Sequence, residues 1–130
     1  MDIVRHGAIS YDQLLTRARH SSKGNARYIL HTLGSKNMQC MIIAFAPHTL
    51  FPFINDNLPG RIVFTCLFGS VTIKLATNGI NEDEAHTLCA GEVLVLPRSV
   101  WRSTIAGPDG AVFLESIEGE HNPILRGVKP

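Results

Sequence analysis

Arg102, in the stretch LPRSVWRST (96–104), is the side chain with the most chemistry to offer in this sequence. A guanidinium stays protonated and presents a planar fork of donors, so it suits a carboxylate or phosphate and cannot ligate a cation. The groups that do carry lone pairs are scattered. The six histidines, His6, His20, His31, His48, His86 and His121, form no H-x-H or H-x3-H pair, whereas metal ligands come as converging clusters. They read as surface or singly hydrogen-bonded residues. Cys40, Cys66 and Cys89 are odd in number and share no C-x-x-C spacing, which argues against a disulfide framework and a thiolate zinc site. Free cysteines in apolar surroundings behave as small hydrophobes and point to a reducing, cytoplasmic setting.

Such groups need a scaffold to position them. A chain of 130 residues suits one compact domain spanning 1–130. With 45% hydrophobic and 18% charged residues, disorder and a coiled coil are excluded. A net charge of +1 with scattered basic residues gives no footprint for nucleic acid. Runs such as MIIAFA (41–46) are too short to span a bilayer, and MDIVRHGAIS lacks the layout of a signal peptide.

Ser10 followed by Gln13 reads as a capping box, and Leu14, Leu15 and Ala18 share one face, so a helix is expected over about 11–20. From Ala26 to about Gly119 the signals are those of strands. RYILHTL, MQCMIIAFA, TLFPFI, RIVFTCLF, SVTIKLAT, AHTLC, EVLVLP, WRSTIA and AVFLESIE are β-prone runs separated by turn signals, including Gly69-Ser70, Asn78-Gly79 and Gly107-Pro108-Asp109-Gly110. Asn78-Gly79 suits a type I′ hairpin. Roughly nine short strands predict a mainly β sandwich or small barrel.

The spacing Gly91-x5-Pro97-x-Ser99-x2-Arg102 resembles the second cupin motif, G-x5-P-x-G-x2-H, with Ser99 at the second glycine and Arg102 at the histidine. In the first motif the H-x-H pair falls on Phe53-Ile54-Asn55 and the glutamate on Ile62, counted back from Gly69. The chain resembles more closely the WbuC-type cupin-fold metalloproteins of polysaccharide gene clusters. The similarity runs through NARYILH, PFIN, Trp101-Arg102-Ser103 and LESIEGEHNP, where His31, Glu115, Gly119 and Pro123 match. It implies a single cupin domain, an RmlC-like jelly-roll β-barrel preceded by a short helix. It also implies a homodimer, for which the apolar strand MQCMIIAFA would serve as an interface.

The four ligand positions are all changed, to Phe53, Asn55, Ile62 and Arg102. Phenylalanine and isoleucine have no lone pair, and a divalent metal needs three or four donors. The expectation is a metal-free site with no cofactor. Strand alternation puts Phe51, Phe53 and Asn55 inside and Ile54 outside. It groups Ile62, Phe64 and Cys66 on one face, and Arg102 with Thr104 on another. This apolar lining with a few polar points suits a small molecule. Arg102, Asn55, Phe53, Ile62, Phe64 and Thr104, with Arg61 at the mouth, are the ligand-binding candidates. Three readings of Arg102 stay open: it holds an anionic ligand, it pairs with Glu115, or it reaches solvent. The pocket is equally open to being plugged by Phe51, Phe53 and Phe64.

The leading expectation is a binding module for an anionic sugar or carboxylate, the polysaccharide context coming only from the resemblance. Metal-independent sugar-modifying relatives suggest an alternative, with His31, Glu115 and Tyr28 as acid–base candidates. A third reading is a structural or interaction protein with a filled barrel. Cys66 as a nucleophile would need a base that the spacing does not supply.

Overall fold

A computed structural model describes residues 3–31, 38–55, 57–77 and 83–119. Among these residues one helix, α1 (Tyr11–His20), is followed by seven strands: β1 (Asn25–Ile29), β2 (Met38–Phe45), β3 (Leu50–Ile54), β4 (Arg61–Ala76), β5 (Glu84–Cys89), β6 (Val93–Pro97) and β7 (Trp101–Glu118). Every pairing is antiparallel. The helix begins where Ser10 accepts a hydrogen bond from the Gln13 amide at 3.2 Å. Leu14, Leu15 and Ala18 form its buried face. No helix among the described residues is long and apolar enough to cross a membrane.

Seven strands stand where the run-by-run reading expects nine, because two expected turns are corners inside long strands. RIVFTCLF and SVTIKLAT form the single 16-residue β4. WRSTIA and AVFLESIE, with the Gly107–Gly110 stretch between them, form the 18-residue β7. The two pair along their whole length, with register shifts between Cys66 and Phe68 and between Gly69 and Val71. Both also change phase there. Ile62, Phe64 and Cys66 are buried before the corner and Val71 and Ile73 after it, an odd step from 66 to 71. On β7 the buried residues step from Ala106 to Ala111, again odd. One residue of slip exchanges the faces of a strand, so the inner face stays inner while each strand passes from one layer to the other.

The first layer is therefore β1, β2, the later half of β7, the early half of β4, and β6; the second is β3, the early half of β7, the later half of β4, and β5. Between them lies a core of Met41, Ile43, Phe45, Ile62, Phe64, Cys66, Val71, Ile73 and Phe113 with their neighbours. A second apolar cluster joins α1 to the outer face of the first layer through Ala26, Ile42, Ala44 and Val112. Within the strand expected to serve a dimer interface, residues 41 to 45 of β2 are all buried inside the chain, alternately in the barrel and under the helix, while Met38 at its start is exposed. The Asn78-Gly79 turn and Pro123 lie outside the described residues, although β4 and β5 do pair as a hairpin would require.

The corner depends on glycine. Gly69 has φ +69°, and a Cβ there would collide with the Gly110 carbonyl oxygen. Gly91 has φ +90° but open space around it. Gly91→Ala should therefore cost only the left-handed backbone strain, about 1–2 kcal/mol. Gly69→Ala adds overpacking worth a further ~1–3 kcal/mol. Denaturant unfolding of the two variants should rank them in that order.

Candidate functional site

The interior between the layers is lined by Arg27, Ile43, Phe45, Phe51, Ile54, Phe64, Arg102, Thr104, Phe113 and Glu115. Six of these are aliphatic or aromatic. Phe45 and Phe113 meet edge to face with ring centres 5.3 Å apart, and Phe64 tilts against Phe113 at 6.0 Å. What remains is a cavity of about 20 Å³, room for roughly one water molecule. Much of the barrel is thus filled by phenylalanines, but Phe45 and Phe113 do most of the filling, with Phe64. Each such buried ring would cost about 3–5 kcal/mol to truncate to alanine, so the filling is core as well as wall.

The polar groups enter from two strands, one of them by both of its halves. Arg102, near the start of β7, pairs in register with Ile54 on β3 and Leu75 on β4. It is 2% exposed, which removes the reading in which it reaches solvent. Its Nη1 donates to the Arg98 carbonyl at 3.4 Å. Glu115, in the other half of β7 beside Met41 and Phe64, is also buried and lines the same cavity. Thr104 lies two residues from Arg102 on the same inner face. Arg27 comes from β1, an edge strand, and is exposed at the mouth, where its guanidinium carbon sits 5.9 Å from the centre of the Phe51 ring. The cavity therefore brings two guanidiniums and one carboxylate to apolar walls.

Of the candidates read from the sequence, Arg102, Phe64, Thr104 and Glu115 line this cavity. Phe53, Asn55, Ile62 and Arg61 do not. A register shift between Phe51 and Ile54 breaks the alternation of β3, so Ile54 is buried opposite Arg102 and faces the cavity. Phe53 is left outside the cavity and the core, which reverses the orientation expected for residues 53 to 55. Asn55 is past the strand, and its Oδ1 accepts from the Asn57 amide at 2.6 Å, an Asx-type turn. Ile62 is wholly buried, packed in the core beside Leu96 and Ile117 rather than on the cavity. Arg61 lies on the exterior, where its Nε donates to Glu118 Oε1 at 2.8 Å.

The acid–base candidates are not assembled. Tyr28 packs against the α1 cluster on the outer face of the first layer. The Leu30 carbonyl, 3.0 Å from His6 Nε2, can only accept, so in the neutral imidazole His6 Nδ1 accepts from the Tyr28 hydroxyl at 3.1 Å. Both groups thus tether the N-terminal segment. His31 Nδ1 takes the Cys40 amide proton at 3.1 Å, tying the end of β1 to β2. Neither Tyr28 nor His31 lines the cavity with Glu115. Burial pushes the Cys66 thiol up, and its Sγ donates to the Phe68 carbonyl at 3.5 Å, so it is held as a thiol rather than activated.

Ile43, Phe45, Ile54, Phe113 and Arg27 line the cavity without being expected there from the sequence. For Ile43, Phe45 and Phe113 a signal exists, since each lies in phase with buried neighbours on its own strand. Arg98 has no such signal. It sits in the turn before β7, is 1% exposed, and its Nη1 donates to the Glu118 carbonyl at 2.8 Å. It ties the β6–β7 turn to the end of β7.

The metal implied by the resemblance can be tested on these donors. Phe53 and Ile62 do not line the cavity, and Asn55 spends its oxygen on the turn. Glu115 is the one carboxylate among the lining residues, and two guanidiniums beside it repel a cation. Among the described residues no three His, Cys, Asp or Glu side chains converge. The residues present do not fit a divalent metal.

Solved structures resemble this one. KdgF from Halomonas sp. aligns with a TM-score of 0.61 at 14% identity, covering 78% of this chain and 84% of that one. An RmlC-like cupin from Shewanella frigidimarina NCIMB 400 aligns at 0.62 and 14% identity, covering 79% and 83%. An oxalate oxidase in complex with the substrate analogue glycolate aligns at 0.60 and 18% identity, covering 78% of this chain and 54% of that one. The chain has the cupin fold, an RmlC-like jelly roll. No protein-family model and no curated protein matches the sequence, so the WbuC type stands as a resemblance of motif spacing.

Two measurements test these placements, one inside the barrel and one on its exterior. Elemental analysis of purified protein should find no stoichiometric iron, zinc, nickel or manganese, and one full equivalent bound in the barrel would overturn the donor argument. The second concerns Arg61, which holds the Glu118 carboxyl below its ordinary range by hydrogen bond and charge. A lowered folded-state pKa contributes stability above the ordinary carboxylate pKa, lost as pH falls through the folded value. With side chains 67% and 49% exposed, that contribution is small. In Arg61→Ala, NMR titration should return Glu118 towards the ordinary carboxylate range while the global unfolding midpoint near neutral pH barely moves.

Proposed function

We propose that this chain is a cupin-fold binding module that works without metal and takes an anionic group, a carboxylate, in the cavity that Arg27 and Arg102 line. The observation that carries the reading is the charge of that cavity: two guanidiniums against one carboxylate on otherwise apolar walls. A guanidinium fork matches a carboxylate in shape, and the apolar surroundings strengthen each hydrogen bond it makes. Glu115 is the internal counter-charge of the barrel, and an arriving carboxylate adds the second negative charge. The resemblance to the WbuC type supports a sugar-like body for the ligand and a role in polysaccharide metabolism. Oxalate oxidase, solved with glycolate, carries a small carboxylate on the same fold; the chain's own charges support such a ligand here.

A second reading has an observation of its own. The cavity of about 20 Å³ is far below the roughly 300–1,000 Å³ of ordinary ligand pockets, which favours a filled barrel acting as a structural or interaction module. The two readings part on one experiment. Calorimetry with acetate, glycolate and inorganic phosphate should show saturable binding of the carboxylates by the unaltered protein. Arg102→Met, close in length and suited to an apolar wall, should weaken it by about 1.5–3 kcal/mol, roughly ten- to hundredfold. Arg27→Gln, at the exposed mouth, should weaken it without disturbing the fold. If none of the anions binds the unaltered protein, the filled-barrel reading replaces this one.

A further inference from the structure

Phe51 borders two spaces. Inside, it lines the cavity with Arg27, Ile54, Arg102 and Thr104. Outside, it lines a half-open groove of about 370 Å³ together with Lys23, Asn25, Leu50 and Pro52. Resting on the carboxylate reading above, we propose that the Phe51 ring is a movable partition between the two, and that the ligand is a carboxylate with a body that has an apolar face. The head enters the cavity towards Arg102 and the body lies in the groove.

The geometry supports a side-chain gate rather than a moving strand. The Phe51 carbonyl accepts a hydrogen bond from Ser103 Oγ at 2.7 Å. Its backbone is in register with Thr104 on β7. Pro52 follows it and restricts Phe51 to extended backbone angles. The ring, only partly buried where it packs against the core, is the part of Phe51 that can turn, about its side-chain torsions. Its contact with Arg27 is a cation–π pair at 5.9 Å on an exposed guanidinium, a class of contact that binding energy readily replaces.

The size and lining of the two spaces point to the ligand class. The cavity alone holds about one water, less than a carboxylate needs, so the mouth must give for any head group to enter. The groove alone falls in the range of ligand pockets. Leu50 is 57% exposed and shares an outward face with Pro52, giving the groove an apolar floor. Lys23 and Asn25 add donors at its rim for hydroxyls or a second acid. A body with one apolar face and one hydrogen-bonding edge fits this lining; a sugar ring and a short acyl chain both offer the apolar face.

The test compares acetate, hexanoate and glucuronate by calorimetry on the whole protein. Acetate is the head alone, hexanoate adds an acyl body, and glucuronate adds a sugar ring. At least one of the two larger acids should bind about tenfold or more tightly than acetate, a gain of roughly 1.4 kcal/mol, and their order identifies the body. Leu50→Asp, at an exposed position, should erase that gain, read as the ratio of each larger acid to acetate in the same variant. Phe51→Ala should strengthen acetate, because the partition no longer has to move. Equal binding of all three acids, each weakened by Arg27→Gln, would overturn the gate and groove while leaving the carboxylate reading intact. Survival of the gain in Leu50→Asp would overturn them equally. Failure of all three acids to bind would remove the carboxylate reading itself.

Discussion

The close crossing of two glycine-bearing corners is the constraint on which the rest of this barrel depends. Gly69 on β4 lies so near the Gly110 carbonyl of β7 that no side chain fits between them. Both strands turn there from one layer into the other, and both slip by one residue as they do so. Without the slip, the buried set Ile62, Phe64 and Cys66 would continue onto the outer face of the second layer. The corner thus makes two half-strands with opposite phases share one interior. It also places Arg102 and Glu115, from opposite halves of one strand, on the wall of one cavity.

That interior is held by apolar packing around a group of phenylalanines, with Arg102 and Glu115 as buried charged groups on the cavity wall. Phe45, Phe64 and Phe113 occupy the middle, and burial of each such side chain is worth about 1.5–3 kcal/mol in transfer terms. Buried Arg102 and Glu115 work against this sum, since charges taken from water are compensated only by good partners. Similar packing with all-apolar residues would serve stability at least as well. The presence of these charges in the cavity lining is what gives the interior a chemical direction, towards anions and away from cations.

Much of this is legible in the sequence, and the failures have physical causes. Ser10, Gln13, Leu14, Leu15 and Ala18 give the helix its limits because caps and 3.6-residue periodicity are local signals. The motif spacing around Gly91 and Pro97 gives the fold and places Arg102 on an inner face, where it lines the cavity. The merged strands are not legible, since Gly69-Ser70 and Gly107–Gly110 carry the composition of turns, and only their mutual contact shows them to be corners. The orientation of residues 53 to 55 fails for a related reason: a bulge is a property of two paired strands and leaves no mark in one of them. Arg98 illustrates the limit, being almost wholly buried from a turn, where no strand or helix periodicity marks a side chain as inward.

The bulge in β3 has a consequence for how this barrel could change. The positions that motif spacing sets against the paired histidines of a metal-binding cupin are Phe53 and Asn55, yet the inner face has passed to Ile54. Writing histidine back at 53 and 55 would therefore set both imidazoles outside the cavity, with Ile54 still filling the place between them. Recovery of a metal centre would first require the strand to lose its extra residue. With the register shift kept, side chains exchanged at 53 and 55 stay off the cavity wall, so backbone register as well as side-chain identity separates this site from a metal-binding one.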